Sequence, residues 1–518
     1  MRLTVFSKLL ITLIVLGAIG AGLWTKRASV RALLGGEGAA GAAGAATAAG
    51  AAGAAGPGKF GKKAPHLVVG VNDFGGAYPA LVANDGTRAG PGSCFAKAGL
   101  DVEIALIRGS KERLEAFDAG QVDIMLLTLD YVANLYADYH KKGVELQAFF
   151  FVDWSRGNLG IVAKPQIQTL EGLAKARIAT TRNTPTHYFL LTLADRTNLG
   201  PKDLETLKSN LVFAKKTPLA GEMFQRGEVD AVAIWEPHLS QAAQKGGGKL
   251  LVSTATATNL VADVLFARKQ LLDQRADAMP AFLRCWLEGA QKIHQAPGAT
   301  VPLIAQAFAQ SQDETEKLLH KIKLGSFADN RAFFGLETEG SPAAQLLAEA
   351  AQIWKREGVI AELPDARAVF RTKFLEQLAP EFKDERVVED FRFSASKAAG
   401  GALFTKSMSI YFATGSSELD ANARRIIDQF AAQTVGVFQN AYVRVEGNTD
   451  NVGGRAKNQS LSRQRAEAVV SYLTTKHRFD AARFVPVGNG PDRPVADNKT
   501  PQGRELNRRT DFRIVPNF

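Results

Sequence analysis

Acidic, hydroxyl and aromatic side chains follow short apolar runs at several places in this chain. Asp73 and Phe74 come after residues 66–71, Thr128 and Asp130 after 124–127, and Asp153 and Trp154 after 149–152. Farther on, Thr184, Thr186 and His187 come after 177–180, and Trp235 and Glu236 after 231–234. If the runs are strands of open α/β sheets, these positions lie just beyond the strand carboxyl ends, where such sheets bind ligands. Asp73, Asp130, Asp153 and Glu236 together suit a ligand with amine or hydroxyl groups, although each acid alone would also serve as a turn or cap residue. A helix opening near Thr186 would offer free N–H groups to an anionic part of a ligand. Trp154 and Trp235 can stack on a flat ligand or fill the core, with stacking favoured at Trp235. His187 fits a helix-start hydrogen bond as well as a ligand contact.

The remaining inventory points away from catalysis. Cys94 and Cys285 are the only cysteines and stand far apart, so neither a disulfide framework nor a cysteine-rich zinc module is expected. The seven histidines are scattered and no HExxH occurs, so no metal site is expected. GxSxG and GxxxxGK[ST] are also missing, and no cofactor is implied. The chain reads as a binding protein, not an enzyme.

The elements that must position these residues are set by length and charge. At 518 residues, with 46% hydrophobic and 22% charged, about three folding units are expected. The net charge of +11 divides into +7 over residues 1–64, −2 over 65–402 and +6 over 403–518. No basic stripe interleaved with aromatics accompanies it, so nucleic acid is not an expected partner. Residues 9–25 form a seventeen-residue apolar run between Lys8 and Lys26. That length sits at the lower limit for one transmembrane helix and beyond a usual signal core of about 7–15 residues. An uncleaved anchor over 1–34 is expected, with a cleaved secretory signal as the rival. Residues 35–64 are Gly/Ala-rich and read as a flexible tether.

Residues 65–380 alternate β-branched runs with amphipathic stretches, the pattern of an α/β domain. Residues 119–124 (AGQVDI) and 226–231 (RGEVDA) repeat one helix-stop, turn and strand-start. Two lobes of similar construction, with a ligand between them, would produce this echo. The residues GLDVE at 99–103, AGQVD at 119–123 and above all VDAVAIWEP at 229–237 resemble the nitrate/sulfonate/taurine and thiamine-precursor group of solute-binding proteins. The resemblance implies a two-lobed periplasmic-binding-protein fold that closes on a small solute and commonly feeds an ABC transporter permease.

After a linker at 381–402, residues 403–518 change character. Residues 442–446 and 511–514 alternate apolar with charged as half-exposed strands do, and Ala466, Val469, Val470 and Leu473 make a helical stripe. An earlier helix carries Ile426, Ile427 and Phe430, and a small α+β sandwich follows. Five ordered segments resemble the OmpA-like peptidoglycan-binding domain: 410–419 as opening strand and loop, GNTDNVG at 447–453, NQSLSRQRA at 458–466, GNG at 488–490, and NRRTD at 507–511. The resemblance implies that Asp450 takes the ammonium of diaminopimelate and Arg465 its carboxylate, an arginine–carboxylate contact being bidentate. Thr449 and Asn458 would hold the loop and Arg509 the pocket floor. Arg463 and Arg508 read as solvated. Peptidoglycan lies outside the cytoplasm, so the whole reads as a cell-envelope protein: membrane anchor, tether, periplasmic solute domain and wall anchor. The alternative is a scaffold whose binding fold needs no ligand.

Overall fold

The computed structural model describes residues 66–517 apart from 337–339, 390, 395–396 and 414. The expected anchor and tether therefore lie outside the described residues, among which no helix is long and apolar enough to cross a membrane.

The apolar runs become strands that cross twice between two sheets. β1 (His66–Val71), β2 (Asp101–Leu106), β3 (Ile124–Thr128) and β4 (Leu146–Ser155) build the first lobe. Residues 156–158 cross to β5 (Leu159–Ala163), β6 (Ile178–Thr181), β7 (Leu211–Ala214), β8 (Ala231–Trp235) and β9 (Lys249–Ser253). Residues 254–261 return to β10 (Ala262–Arg268) and β11 (Ile322–Leu324). The sheet orders are β11-β4-β10-β3-β1-β2 and β7-β6-β8-β5-β9. In each sheet three strands pair parallel, β10 then closes antiparallel on β3 and β5 on β8, and β4 lies beyond β10, antiparallel to it. Strands covered on both faces read as continuous apolar runs, as β3 and β8 do.

The sequence echo is a matched pair of helix ends, one per lobe. Gly120 (φ +69°) follows the helix Ser110–Asp118, and Gly227 (φ +75°) follows Thr217–Gln225. Left-handed backbone is open to glycine without the Cβ penalty that other residues meet.

One expectation is corrected in the first lobe. Cys94 and Cys285 are not isolated but form a disulfide across 191 residues. Packing does this: the helix Met279–Gln295 lies on the helix Tyr78–Asn84 and on the turn Cys94–Lys97, which brings the two sulfurs together.

The C-terminal segment is a four-stranded sheet backed by helices. Its strands are β12 (Phe404–Met408), β13 (Ala441–Asn448), β14 (Phe484–Gly490) and β15 (Thr510–Pro516), ordered β12-β15-β13-β14. The helices Ala421–Phe430 and Arg455–Lys476 bury Ile427, Phe430, Ala466, Val469 and Leu473; Val470 is half-buried. A Cβ at Gly447 would sit 2.3 Å from the Ser462 carbonyl oxygen, so glycine is what lets this helix approach β13. The opening strand lies earlier than expected. β12 ends at Met408, opposite Thr510 where β15 begins, and this leaves residues 410–413 without a partner backbone.

The C-terminal sheet is seated on the second lobe. Leu170 N–H donates to the Leu403 carbonyl (2.9 Å), Thr405 N–H to Glu171 (3.1 Å) and Lys406 to the Thr197 carbonyl (2.8 Å). Arg196, largely buried, donates to the Gln433 carbonyl at 2.8 Å. The returning crossing is held too: Asn440 donates to Ala255 (2.9 Å), and Asn259 N–H to Val437 (3.3 Å). The segment leading into the domain lies on the first lobe. There Glu385 accepts from Ala328 N–H (2.9 Å), and Glu389 pairs with Arg156 (3.0 Å) and Lys323 (2.8 Å).

Candidate functional site

A cavity of about 520 Å³ lies between the two lobes. It is built, as the strand-end argument requires, from residues at the carboxyl ends of strands. Asp73 and Phe74 reach it from beyond β1, Thr128 from the end of β3, and Trp235 and Glu236 from the end of β8. Thr184 lines it from the N-terminus of the helix Pro185–Asp195. These six sequence candidates are brought together.

Two of them already have partners. Asp73 accepts from Arg108 Nε at 2.7 Å. Glu236 accepts from the Ser240 hydroxyl (2.7 Å) and Ser240 N–H (3.0 Å), and it pairs with Lys321. Glu236 belongs to the second lobe and Lys321 precedes β11 of the first, so this ion pair spans the cleft.

The other five candidates are not brought to it: none lines the cavity. Asp153 and Trp154 lie inside β4, which runs on to Ser155, and their side chains enter the first-lobe interior. Trp154 packs between Phe151 and Phe333, with ring centroids at 5.2 and 5.4 Å. Asp130 is the second residue of the helix Leu129–Lys141 and is buried, as Asp153 is. Burial raises the Asp130 carboxyl to about 7 and holds Asp153 well above the usual carboxylate range. Thr186 spends its hydroxyl on Thr180 and Thr184, each at 2.9 Å. His187 accepts from Asn183 N–H and packs against Phe213 and Trp354; burial lowers its pKa to about 4.

The cavity also contains groups that the sequence reading missed. Asp263, 7% exposed, interrupts the apolar strand β10 and stands opposite both Thr128 and Asp153. Arg113, 2% exposed, donates Nη1 to the Ile107 carbonyl at 2.7 Å, while its Nε has no partner. Asn158, on the outgoing crossing, leaves Oδ1 without a partner. A lone acid inside an apolar run was the available signal for Asp263. Arg113 had none beyond its place on an amphipathic helix.

A second site lies in the C-terminal sandwich. Asp450, with its side chain 13% exposed, is held at both oxygens: Val452 N–H reaches Oδ1 at 3.0 Å and Arg508 reaches Oδ2 at 2.8 Å. Arg508 is exposed, as expected of a solvated position, and from there its guanidinium also reaches the site by pairing with Asp450. Arg465 donates to the carbonyls of Ser416 (3.0 Å) and Ala413 (3.3 Å) and lies 4.9 Å from the Phe412 ring centroid. Burial first, and then the Arg508 charge, hold its pKa below the usual arginine range. Thr449 donates to the Asp450 carbonyl (2.8 Å), and Asn458 donates to the Val452 carbonyl (2.9 Å), so both fix the loop. Arg509 grips Asp511 with two hydrogen bonds of 2.9 and 3.1 Å beneath it. Arg463 pairs outward with Glu467 at 2.7 Å.

Comparison with known proteins follows the same division. Residues 93–300 match the NMT1/THI5 like family and residues 411–508 the OmpA family. Outer membrane protein Omp38 of Acinetobacter baumannii is 42% identical over 96 residues, 17% of this chain and 27% of that protein. The outer-membrane lipoprotein YfiB of Pseudomonas aeruginosa is 37% identical over 113 residues, 22% of this chain and 66% of that one. The chain thus spans about a quarter of the length of Omp38. The periplasmic aliphatic sulphonate binding protein SsuA from Escherichia coli superposes with a TM-score of 0.46 at 17% identity, covering 59% of this chain and 97% of that one. The chain is a fusion of an NMT1/THI5-like domain with a C-terminal OmpA domain.

Proposed function

We propose that this protein is a cell-envelope receptor that closes its two lobes on a small solute while its C-terminal domain holds peptidoglycan. The observation that carries the reading is the interlobe cavity, with buried polar groups left unpartnered at its wall. Such groups are costly unless something completes their hydrogen bonds. Asp450 and Arg465 address the ammonium and carboxylate of the diaminopimelate stem peptide, with Thr449, Asn458 and Arg509 as supports. The disulfide supports an oxidising compartment such as the periplasm. An N-terminal inner-membrane anchor and delivery of the solute to an ABC transporter permease or sensor complete the reading, whose task is binding and not catalysis. Two measurements test it on the full chain: thermal shift against a solute library, and co-sedimentation with isolated sacculi. A ligand at a hundred times its dissociation constant stabilises by about 2.7 kcal/mol. Absence of any stabilising solute, together with failure to sediment, would remove the proposal.

A further inference from the structure

Resting on the receptor reading, the charge layout of the cleft says what kind of solute it takes. Each cation at the cavity rim already faces an acid. Arg108 is paired with Asp73, Lys321 with Glu236, and Lys317 with Asp313. Glu314 is used in capping Ser311. The floor is different. There, among the described residues, Arg113 is the one cation, and it faces Asp263 with Asp153 and Asp130 close behind.

Asp263 is the acid of that group that reaches the cavity. Among the described residues no hydrogen bond or ion pair holds its carboxylate, although it is only 7% exposed. Arg113 is near enough to feel it but does not pair with it. Beside it stands a further acceptor, Asn158 Oδ1, which has no partner among the described residues. Tyr131, Trp235 and Phe74 supply aromatic surface to the same space.

We infer that the cleft is specific for a cationic solute, a protonated amine whose nitrogen is held by Asp263 and whose apolar part lies against Trp235. An incoming anion would have to lie against the Asp263 carboxylate, and the guanidinium beside it, Arg113, already donates Nη1 to the Ile107 carbonyl. An ammonium would supply the donors that Asp263 and Asn158 lack, and a cation beside an aromatic face gains further.

The groups facing Asp263 also fix how binding responds to pH. They are Asp153 from β4, Arg113 from the helix Ser110–Asp118, and Asp130 from the helix Leu129–Lys141. Burial holds Asp263 above the usual carboxylate range, so a bound ammonium displaces a proton from it. Affinity therefore rises with pH and levels off once Asp263 is ionised, while simple amines stay protonated to about pH 10.

The test is calorimetric titration of the full chain with a panel in four classes: putrescine and 2-phenylethylamine, 3-phenylpropionate, 2-phenylethanesulfonate, and 2-phenylethanol. The expected result is binding by an amine, strengthening from pH 6 to 8 and weakened at least about tenfold by Asp263→Asn. That variant is isosteric and removes a buried charge; circular dichroism confirms that it folds. Amine binding that Asp263→Asn leaves unchanged overturns the assignment. Binding by an anionic or neutral member that Trp235→Ala weakens leaves the receptor reading standing and sinks the cationic one. If no member of any class binds, the receptor reading falls and takes this inference with it.

Discussion

Arg508 donates to Asp450 at 2.8 Å, so the carboxylate expected to meet a ligand ammonium is already occupied by a guanidinium of its own domain. Arg465 is similarly engaged, by the carbonyls of Ala413 and Ser416. Stem-peptide binding must exchange these contacts. Asp450→Ala and Arg465→Ala should each lower sacculus co-sedimentation at least about tenfold, and non-additively, because both serve one ligand. Arg463→Ala should leave it unchanged. Arg508→Ala should raise affinity by up to about fivefold, since a half-exposed ion pair is worth about 0.2–1 kcal/mol. A loss of binding in Arg508→Ala would make Arg508 a ligand contact instead.

Trp235 and Trp154 separate binding from packing. Trp235 is half-buried at the cavity wall, whereas Trp154 is 8% exposed between two phenylalanines. Trp235→Ala should weaken solute binding with little change in melting temperature. Trp154→Ala should cost about 3–5 kcal/mol of stability through the cavity it leaves. Thermal melts and titrations on the two variants should show opposite patterns.

The architecture was legible where periodicity carries it. Five of the strand runs of the two lobes and both helix-ending glycines stood in the sequence because a buried strand must be apolar and a left-handed turn favours glycine. The cleft was half legible. Strand ends can be guessed, but Asp153 and Trp154 were misplaced when β4 proved to run to Ser155. Asp263 and Arg113 come from segments 150 residues apart, and only tertiary packing places them in one cavity. The Cys94–Cys285 bond was hidden in the same way.

That bond closes a loop of 191 residues, so reducing it restores much chain entropy to the unfolded state. Reduction, or the double variant Cys94→Ser/Cys285→Ser, should cost about 2–5 kcal/mol. Melting with and without dithiothreitol reads this directly, and equal melting temperatures would contradict it.

The buried Asp130 gives stability an uncommon pH trend. Its folded pKa, about 7, lies above its unfolded value, so the folded state binds the extra proton. Its contribution is therefore full at low pH and is lost as pH rises through about 7. Going from pH 8 to pH 6 should add about 1.4 kcal/mol from this group. His187, lowered to about 4, works the other way, because unfolding frees it to take a proton. Asp130→Asn should flatten the acid-side gain by about that amount in urea titrations at the two pH values; an unchanged difference would show that Asp130 does not titrate there.

The seating of the C-terminal sheet has a mechanical consequence. Lys406 and Arg196 bind it to the second lobe, and Asn440 binds it to the returning crossing, whereas Glu385 and Glu389 fasten the segment before it to the first lobe. Lobe rotation must then either carry the sheet along with one lobe or break hydrogen bonds on the other. If the C-terminal domain is held to a rigid polymer, the second lobe becomes the stationary jaw. The first lobe would be the one that swings, and a pull along the chain would load the hinge itself.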